Sequence, residues 1–217
     1  MENFYDIAKK YGTDKVTHHG YHLYYPLYLD PLRQEKFKML EIGFEIGRSA
    51  KMWCEYFPFS EIYCMDINIM DNIIDGCTII KGDQGNRDDL KKVVDLVKNA
   101  KFIIDDGSHY PVHQIDTFEY LFTNLLEPGG IYIIEDIETN YWAKDADVYG
   151  YIIGYFNSID YSTKYINQIN EEFSGIKNNL KISSITYAQN CIIIKKQTDK
   201  ESEYFNRPYR YTHKILN

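Results

Sequence analysis

Ile103-Ile104-Asp105-Asp106-Gly107-Ser108-His109, followed later by Ile131-Tyr132-Ile133-Ile134-Glu135-Asp136, is the sequence that decides the fold. Each piece is a short apolar run ending in two acids. Short continuous apolar runs read as strands buried on both faces, the signature of a parallel sheet. Working outward, residues 37–42 form another such run. So do residues 62–65, which end at Asp66, and residues 77–80, which end at Gly82-Asp83. Segments with helical spacing lie between them. Residues 49–57 place Met52, Trp53 and Tyr56 on one face. Residues 88–98 turn Leu90, Val93, Val94 and Val97 inward, and residues 114–126 stop at Pro128-Gly129-Gly130.

Five alternations of strand and helix predict an α/β fold: a three-layer, doubly wound, mostly parallel sheet with helices on both faces. Residues 182–187 and 191–195, joined by a tight Ala188-Gln189-Asn190 turn, predict an antiparallel C-terminal hairpin at the sheet end. The remainder is read more coarsely. Residues 2–10 form a short helix ending near Gly12, and a polar, His-rich loop runs from Thr13 to Gly20. Residues 21–34 are aromatic and broken by Pro26 and Pro31. Residues 148–173 are Tyr-rich and mostly helical, and the tail from Thr198 is polar and partly disordered. The expectation is one domain over residues 1–217, with 1–34 as an N-terminal lid and 198–217 as a polar tail.

Composition excludes several function classes. The 217 residues carry 24 Lys and Arg against 32 Asp and Glu, a net charge of −8. A general nucleic-acid binder normally presents a basic face, so no nucleic-acid partner is expected. No run approaches the roughly 20 apolar residues that span a bilayer, and the N-terminus has no apolar signal core. Cys54, Cys64, Cys77 and Cys191 form no Cys-x-x-Cys pair and no zinc spacing. Cytoplasmic, reducing surroundings and no membrane partner are therefore expected. The unusual number is 21 tyrosines.

A doubly wound sheet binds ligands at the carboxyl ends of its strands. Glu41, Asp66, Asp83, Asp105, Asp106, Glu135 and Asp136 all follow apolar runs and gather there. In Glu41-Ile42-Gly43-Phe44-Glu45-Ile46-Gly47-Arg48-Ser49, the Gly-x-x-x-Gly spacing differs from the Gly-x-Gly-x-x-Gly of pyrophosphate-binding folds. An acid before such a turn suits a cationic, amino-acid-bearing nucleotide, of which S-adenosylmethionine is one. Asp66 can accept from both ribose hydroxyls, and Asp83 from an exocyclic amine. Successive strand residues face opposite ways, so Asp105 and Asp106 do not share a ligand unless the strand has ended. Asp106, Glu135 and Asp136 can converge from adjacent strand ends about 5 Å apart. Three carboxylates in one place repel unless a cation sits among them, and all-oxygen ligands favour a hard divalent ion such as Mg²⁺. His109, one short turn past Asp106, is positioned as a general base. His113 reads as an ordinary helical residue.

The chain resembles the metal-dependent sugar O-methyltransferases of macrolide biosynthesis, the mycinamicin and macrocin type. The resemblance rests on Tyr11-Gly12-Thr13-Asp14-Lys15 with Tyr21, Tyr24 and Tyr25; on Leu40 to Ser49 with Met52-Trp53; on Gly82-Asp83-Gln84; on Ile104 to His109; and on Pro128 to Asp136 with Tyr141-Trp142. It implies a class I methyltransferase fold with a seven-stranded sheet and S-adenosylmethionine and Mg²⁺ as cofactors. Asp106, Glu135 and Asp136 would hold the metal, with His109 and Asp106 as catalytic residues. Thr13, Lys15, Glu41, Gly43, Ser49, Asp66, Asp83, Gln84 and Asp105 would serve the cofactor, Thr13 and Lys15 from the lid. The implied acceptor is a sugar hydroxyl on a nucleotide sugar, glycan or glycosylated natural product. The alternatives are a phenolic or catechol-like acceptor, or a non-catalytic S-adenosylmethionine-binding protein on the same fold. A homo-oligomer is a further possibility. Tyr21, Tyr24, Tyr25, Tyr110 and Tyr141 are expected beside the site, where aromatic faces suit sugar rings.

Overall fold

The computed structural model describes residues 2–69, 73–138 and 180–205. Its strands are β1 (Lys38–Ile42), β2 (Glu61–Asp66), β3 (Cys77–Lys81), β4 (Ala100–Asp105), β5 (Leu126–Glu135), β6 (Ile182–Ala188) and β7 (Cys191–Lys196). They form one seven-stranded sheet in the order β3-β2-β1-β4-β5-β7-β6. The pairs from β3 through β5 are parallel, and β7 runs antiparallel between β5 and β6. The parallel part is the doubly wound plan expected from the alternating pattern, and the seven-stranded whole is the class I methyltransferase topology that the resemblance implies. Strand order reverses direction between β1 and β4, which opens a crevice at their carboxyl ends.

Helices cover both faces. They are α1 (Phe4–Tyr11), α2 (Asp14–Thr17), α3 (Pro26–Leu29), α4 (Arg48–Tyr56), α5 (Arg87–Val97), α6 (Pro111–Asn124) and α7 (Asp199–Phe205). Strand alternation sorts the core into two layers. Leu40, Ile103, Tyr132, Ile134 and Ile192 pack under α5 and α6. Met39, Phe102, Ile104, Ile133 and Ile193 pack under α4 and the N-terminal segment, around Phe4, Tyr25 and Trp53. Glu41 follows Met39 by two residues, and Glu135 follows Ile133 by two. Both acids therefore project into this second, N-terminal layer. Asp105, two residues from Ile103, projects into the first.

Several local expectations are corrected. Thr13–Gly20 is not a plain loop: Thr13 caps α2 by accepting from the Lys15 amide. The aromatic stretch forms short helical turns at Tyr21–Leu23, Pro26–Leu29 and Asp30–Leu32. Helix α6 starts at Pro111, whose fixed φ suits a first helical turn. Pro128-Gly129-Gly130 lies inside β5 rather than after a helix. The tail begins as α7 because Thr198 and Glu201 form a reciprocal capping box: each side chain accepts from the other's amide. Val148–Phe173 and Tyr141 lie outside the described residues. Among the described residues, no helix is long and apolar enough to cross a membrane.

Candidate active site

A cavity of about 800 Å³ occupies the crevice at the carboxyl ends of β1, β2 and β4, within the usual range for small-ligand sites. Its shape depends on glycine. Gly43 has φ +99°, and a Cβ there would lie 2.0 Å from the Asp106 carbonyl oxygen. Only a glycine lets the turn after β1 pass this close to the end of β4. Backbone bonds lock the crossing: the Asp106 amide donates to the Ile42 carbonyl and the Gly43 amide to Met65.

The cavity wall carries much of the expected cofactor set. Thr13, Gly43, Ser49, Asp66, Asp83 and Gln84 all line it. Asp66 Oδ2 accepts from the amides of Phe44 and Glu45, and Oδ1 from Asn68, so the carboxylate is held at the cavity edge. Asp83 is set by its bond from the Gly85 amide. Gln84 donates to both Asp105 oxygens at 2.8 Å and accepts from the Ser108 amide. Asp105 itself is fully buried and does not line the cavity. Burial pushes its carboxyl up to about 7 against the opposing bonds from Gln84 and the Gly107 amide.

Lys15 and Glu41 also lie beneath the wall rather than on it. Lys15 is 0% exposed, an unusual state for a lysine. Its ammonium lies 2.6 Å from Asp106 Oδ2, 2.5 Å from Glu135 Oε2 and 3.8 Å from Glu41 Oε1. Glu41 also accepts from Ser49 Oγ at 2.9 Å and Trp53 Nε1 at 3.0 Å. Burial pushes Glu41 up to about 7, with Lys15 opposing. Burial would neutralise Lys15, but the charges of Asp106, Glu135 and Glu41 hold it well above the usual lysine range. Burial likewise raises Asp106, but the Lys15 ammonium outweighs it and holds that carboxyl below the usual range. Glu135 is pushed well above the usual range by burial and by Asp106. Its remaining oxygen accepts from the Tyr25 hydroxyl. The cation demanded by converging carboxylates is thus in part supplied by the chain itself.

Among the described residues, Asp106, His109 and Asp136 form a group that could hold a metal ion: their ligand atoms lie within 4.8 Å of one another. His109 Nε2 is 3.6 Å from Asp136 Oδ2. His109 and Asp136 both have φ +54°, a left-handed backbone that costs a non-glycine residue energy and clusters at functional sites. The other Asp136 oxygen faces His19 Nε2 at 3.5 Å and accepts from Tyr21 and from Asn190.

The three expected metal acids are therefore divided. Asp106 and Asp136 line the cavity with His109, while Glu135 does not and meets Asp106 through Lys15. Two expectations about neighbouring residues are corrected. Tyr21 and Tyr25 are fully buried and present no open ring; each hydroxyl holds a carboxylate instead. His113 is more than a helical residue, because it lines the cavity and meets Ser108 Oγ at 3.0 Å. Asp14, which the resemblance puts in the lid with Thr13 and Lys15, lines the cavity, and so does Arg48, to which no role was assigned. His19 and Asn190 were missed altogether. The His-rich loop offered a weak hint of the first, and nothing in the sequence marks a turn asparagine far from the site.

No protein-family model matches the chain. It is 33% identical over 148 residues to mycinamicin VI 2''-O-methyltransferase of Micromonospora griseorubida, covering 63% of this chain and 36% of that protein. It is 31% identical over 144 residues to 8-demethyl-8-alpha-L-rhamnosyl tetracenomycin-C 2'-O-methyltransferase of Streptomyces olivaceus, covering 63% and 38%. Demethylmacrocin O-methyltransferase of Streptomyces fradiae is 31% identical over 146 residues, covering 63% and 37%. The matched stretch thus spans little more than a third of each of these relatives. Among solved structures, MycE methyltransferase from the mycinamycin biosynthetic pathway, in complex with Mg and SAH, superposes with a TM-score of 0.86 at 23% identity. That match covers 100% of this chain and 58% of the other. The class I methyltransferase fold and the resemblance to sugar O-methyltransferases both stand.

Proposed function

We propose that this chain is an S-adenosylmethionine- and divalent-metal-dependent O-methyltransferase acting on a sugar hydroxyl. One observation carries the reading: the cavity at the strand-order reversal ends on Asp106, His109 and Asp136, two carboxylates and an imidazole within 4.8 Å. The similarity to enzymes named as sugar O-methyltransferases, and to a fold solved with Mg and SAH, supports both cofactors.

The cofactor's parts divide among the wall residues by chemistry. Asp66 offers carboxylate oxygens to ribose hydroxyls, and Asp83 and Gln84 offer acceptors to the adenine amine. Gly43, Ser49 and Thr13 border the space for the amino-acid end. Glu41 and Asp105 act one step back, since Glu41 holds Ser49 and Trp53 while Asp105 orients Gln84. Lys15 acts from beneath as a counter-ion.

Asp106 and Asp136 would hold the divalent ion, with Glu135 as the adjoining acid. Such an ion lowers the pKa of a hydroxyl it holds, and vicinal sugar hydroxyls can chelate it. His109 takes the hydroxyl proton. The cavity aligns the acceptor oxygen with the sulfonium methyl for in-line displacement.

The test offers radiolabelled S-adenosylmethionine, with and without Mg²⁺, to a panel of glycosides with vicinal hydroxyls and a panel of catechols. Mg²⁺-dependent label transfer to a glycoside is the expected result. Transfer to catechols alone would move the acceptor class. Tight cofactor binding with no transfer to either panel would leave a non-catalytic binding protein.

A further inference from the structure

We propose that Asn190, in the turn between β6 and β7, is a positioning residue that fixes Asp136 for metal binding and orients His19 beside it. The inference rests on the metal site proposed above. The antiparallel insertion of β7 next to β5 places the β6–β7 turn directly beside the end of β5.

Asn190 grips the end of β5 through both its side chain and its backbone. Its Nδ2 donates to Asp136 Oδ1 at 2.9 Å. Its Oδ1 accepts from the Glu138 amide at 2.7 Å, and its carbonyl accepts from the Ile137 amide at 3.3 Å. The same carbonyl lies 3.2 Å from the Tyr21 hydroxyl, which also reaches Asp136 Oδ1 at 3.1 Å. Residues 136–138 are thereby fastened to the hairpin, with Asp136 held in its left-handed conformation. Aspartate tolerates this left-handed region better than most non-glycine residues, and the bonds to the hairpin hold Asp136 in it.

The same Nδ2 lies 3.2 Å from His19 Nδ1. An amide nitrogen only donates, so Nδ1 of His19 must accept. In the neutral ring the proton is then on Nε2, the atom that faces Asp136. One amide group thus sets the direction of a carboxylate and the tautomer of an imidazole. Groups that orient metal ligands in this way typically change metal affinity 10- to 100-fold when removed.

Asn190 itself has φ +60°, so a turn role must be separated from a positioning role. Glycine makes the separation: it accepts the left-handed turn without strain and removes all three side-chain bonds. Mn²⁺ and S-adenosylhomocysteine binding are measured by calorimetry for the full chain, Asn190→Gly and Asn190→Ala. The expected result is Mn²⁺ binding about 10- to 100-fold weaker in Asn190→Gly. S-adenosylhomocysteine binding should remain within about twofold of the original, because Asn190 does not line the cavity. Unchanged Mn²⁺ binding in Asn190→Gly, with loss only in Asn190→Ala, would reduce Asn190 to a turn residue and overturn the inference. Equal weakening of both ligands in Asn190→Gly would also overturn it, as general damage to the sheet end. Failure of the unaltered chain to bind Mn²⁺ is read separately, from that chain alone, and removes the metal site together with the residue argued to position it.

Discussion

The Lys15 ammonium lies 2.5 Å from Glu135 Oε2, with Lys15 sealed from solvent and Glu135 nearly so. An element near the N-terminus thereby supplies the internal counter-charge for acids on β1 and β5 and just beyond β4. Removing one partner from such a pair leaves a buried charge without compensation, which typically costs about 3–5 kcal/mol. Lys15→Met should lower chemical-denaturation stability by about that amount. Adding Asp106→Asn should recover part of the loss, because Lys15 holds that carboxyl ionised and the two residues share one interaction. An unchanged midpoint in Lys15→Met would remove Lys15 as the counter-ion.

Gly43 and Gly12 make a controlled comparison. Both have positive φ, but a Cβ at Gly43 meets the Asp106 carbonyl at 2.0 Å, whereas at Gly12 nothing lies within 4 Å. Gly12→Ala should cost about 1 kcal/mol, the strain of a left-handed alanine alone. Gly43→Ala should cost more, roughly 2–4 kcal/mol, and should weaken S-adenosylhomocysteine binding as the β1 turn is pushed from β4. Thermal melts and calorimetry on the two variants check the order. Equal effects would mean that the close backbone approach is unimportant.

His109→Ala tests the proton acceptor. The turnover number should fall about 10²- to 10⁴-fold while S-adenosylhomocysteine affinity stays near its original value. Asp106→Asn should instead abolish divalent-ion binding, since it removes an anionic ligand and the partner of Lys15 together. A variant lacking His109 with full turnover would reassign the base.

Stability should fall with rising pH through the range governed by Glu41. Its folded-state pKa of about 7 lies above the ordinary carboxylate value of 4.5, chiefly through burial. The folded protein therefore holds a proton that the unfolded chain has released. The associated stability is fully present below pH 4.5 and is lost as pH rises through about 7. Melting temperatures from pH 5 to pH 8 should show this decline, and Glu41→Gln should flatten it. An identical slope in that variant would assign the decline to other groups.

Much of the architecture is legible in residues 37–136. Apolar runs that end in acids mark strands buried on both faces, and intervening helical spacing fixes the parallel, doubly wound plan. The lining of the cavity is equally readable, since Gly43, Ser49, Asp66, Asp83 and Gln84 belong to segments that end at the crevice. Period two even assigns the acids to layers: Asp105 falls opposite Glu41 and Glu135 once the strand bounds are known. The capping box at Thr198 and Glu201 is also a sequence signal, a Thr followed three residues later by Glu.

What the chain order alone determined, then, is which residues sit at strand ends and which face each takes, because both follow from local geometry. Tertiary structure decided what meets them there. Lys15 precedes β1 in sequence, yet it fills the space between Glu41, Asp106 and Glu135 because the N-terminal segment packs across that sheet face. Asn190 reaches Asp136 because β7 inserts beside β5. Charge balance in a buried cluster is a property of all its neighbours, so no strand-end motif read by itself reveals whether its cation is a metal, a lysine or both.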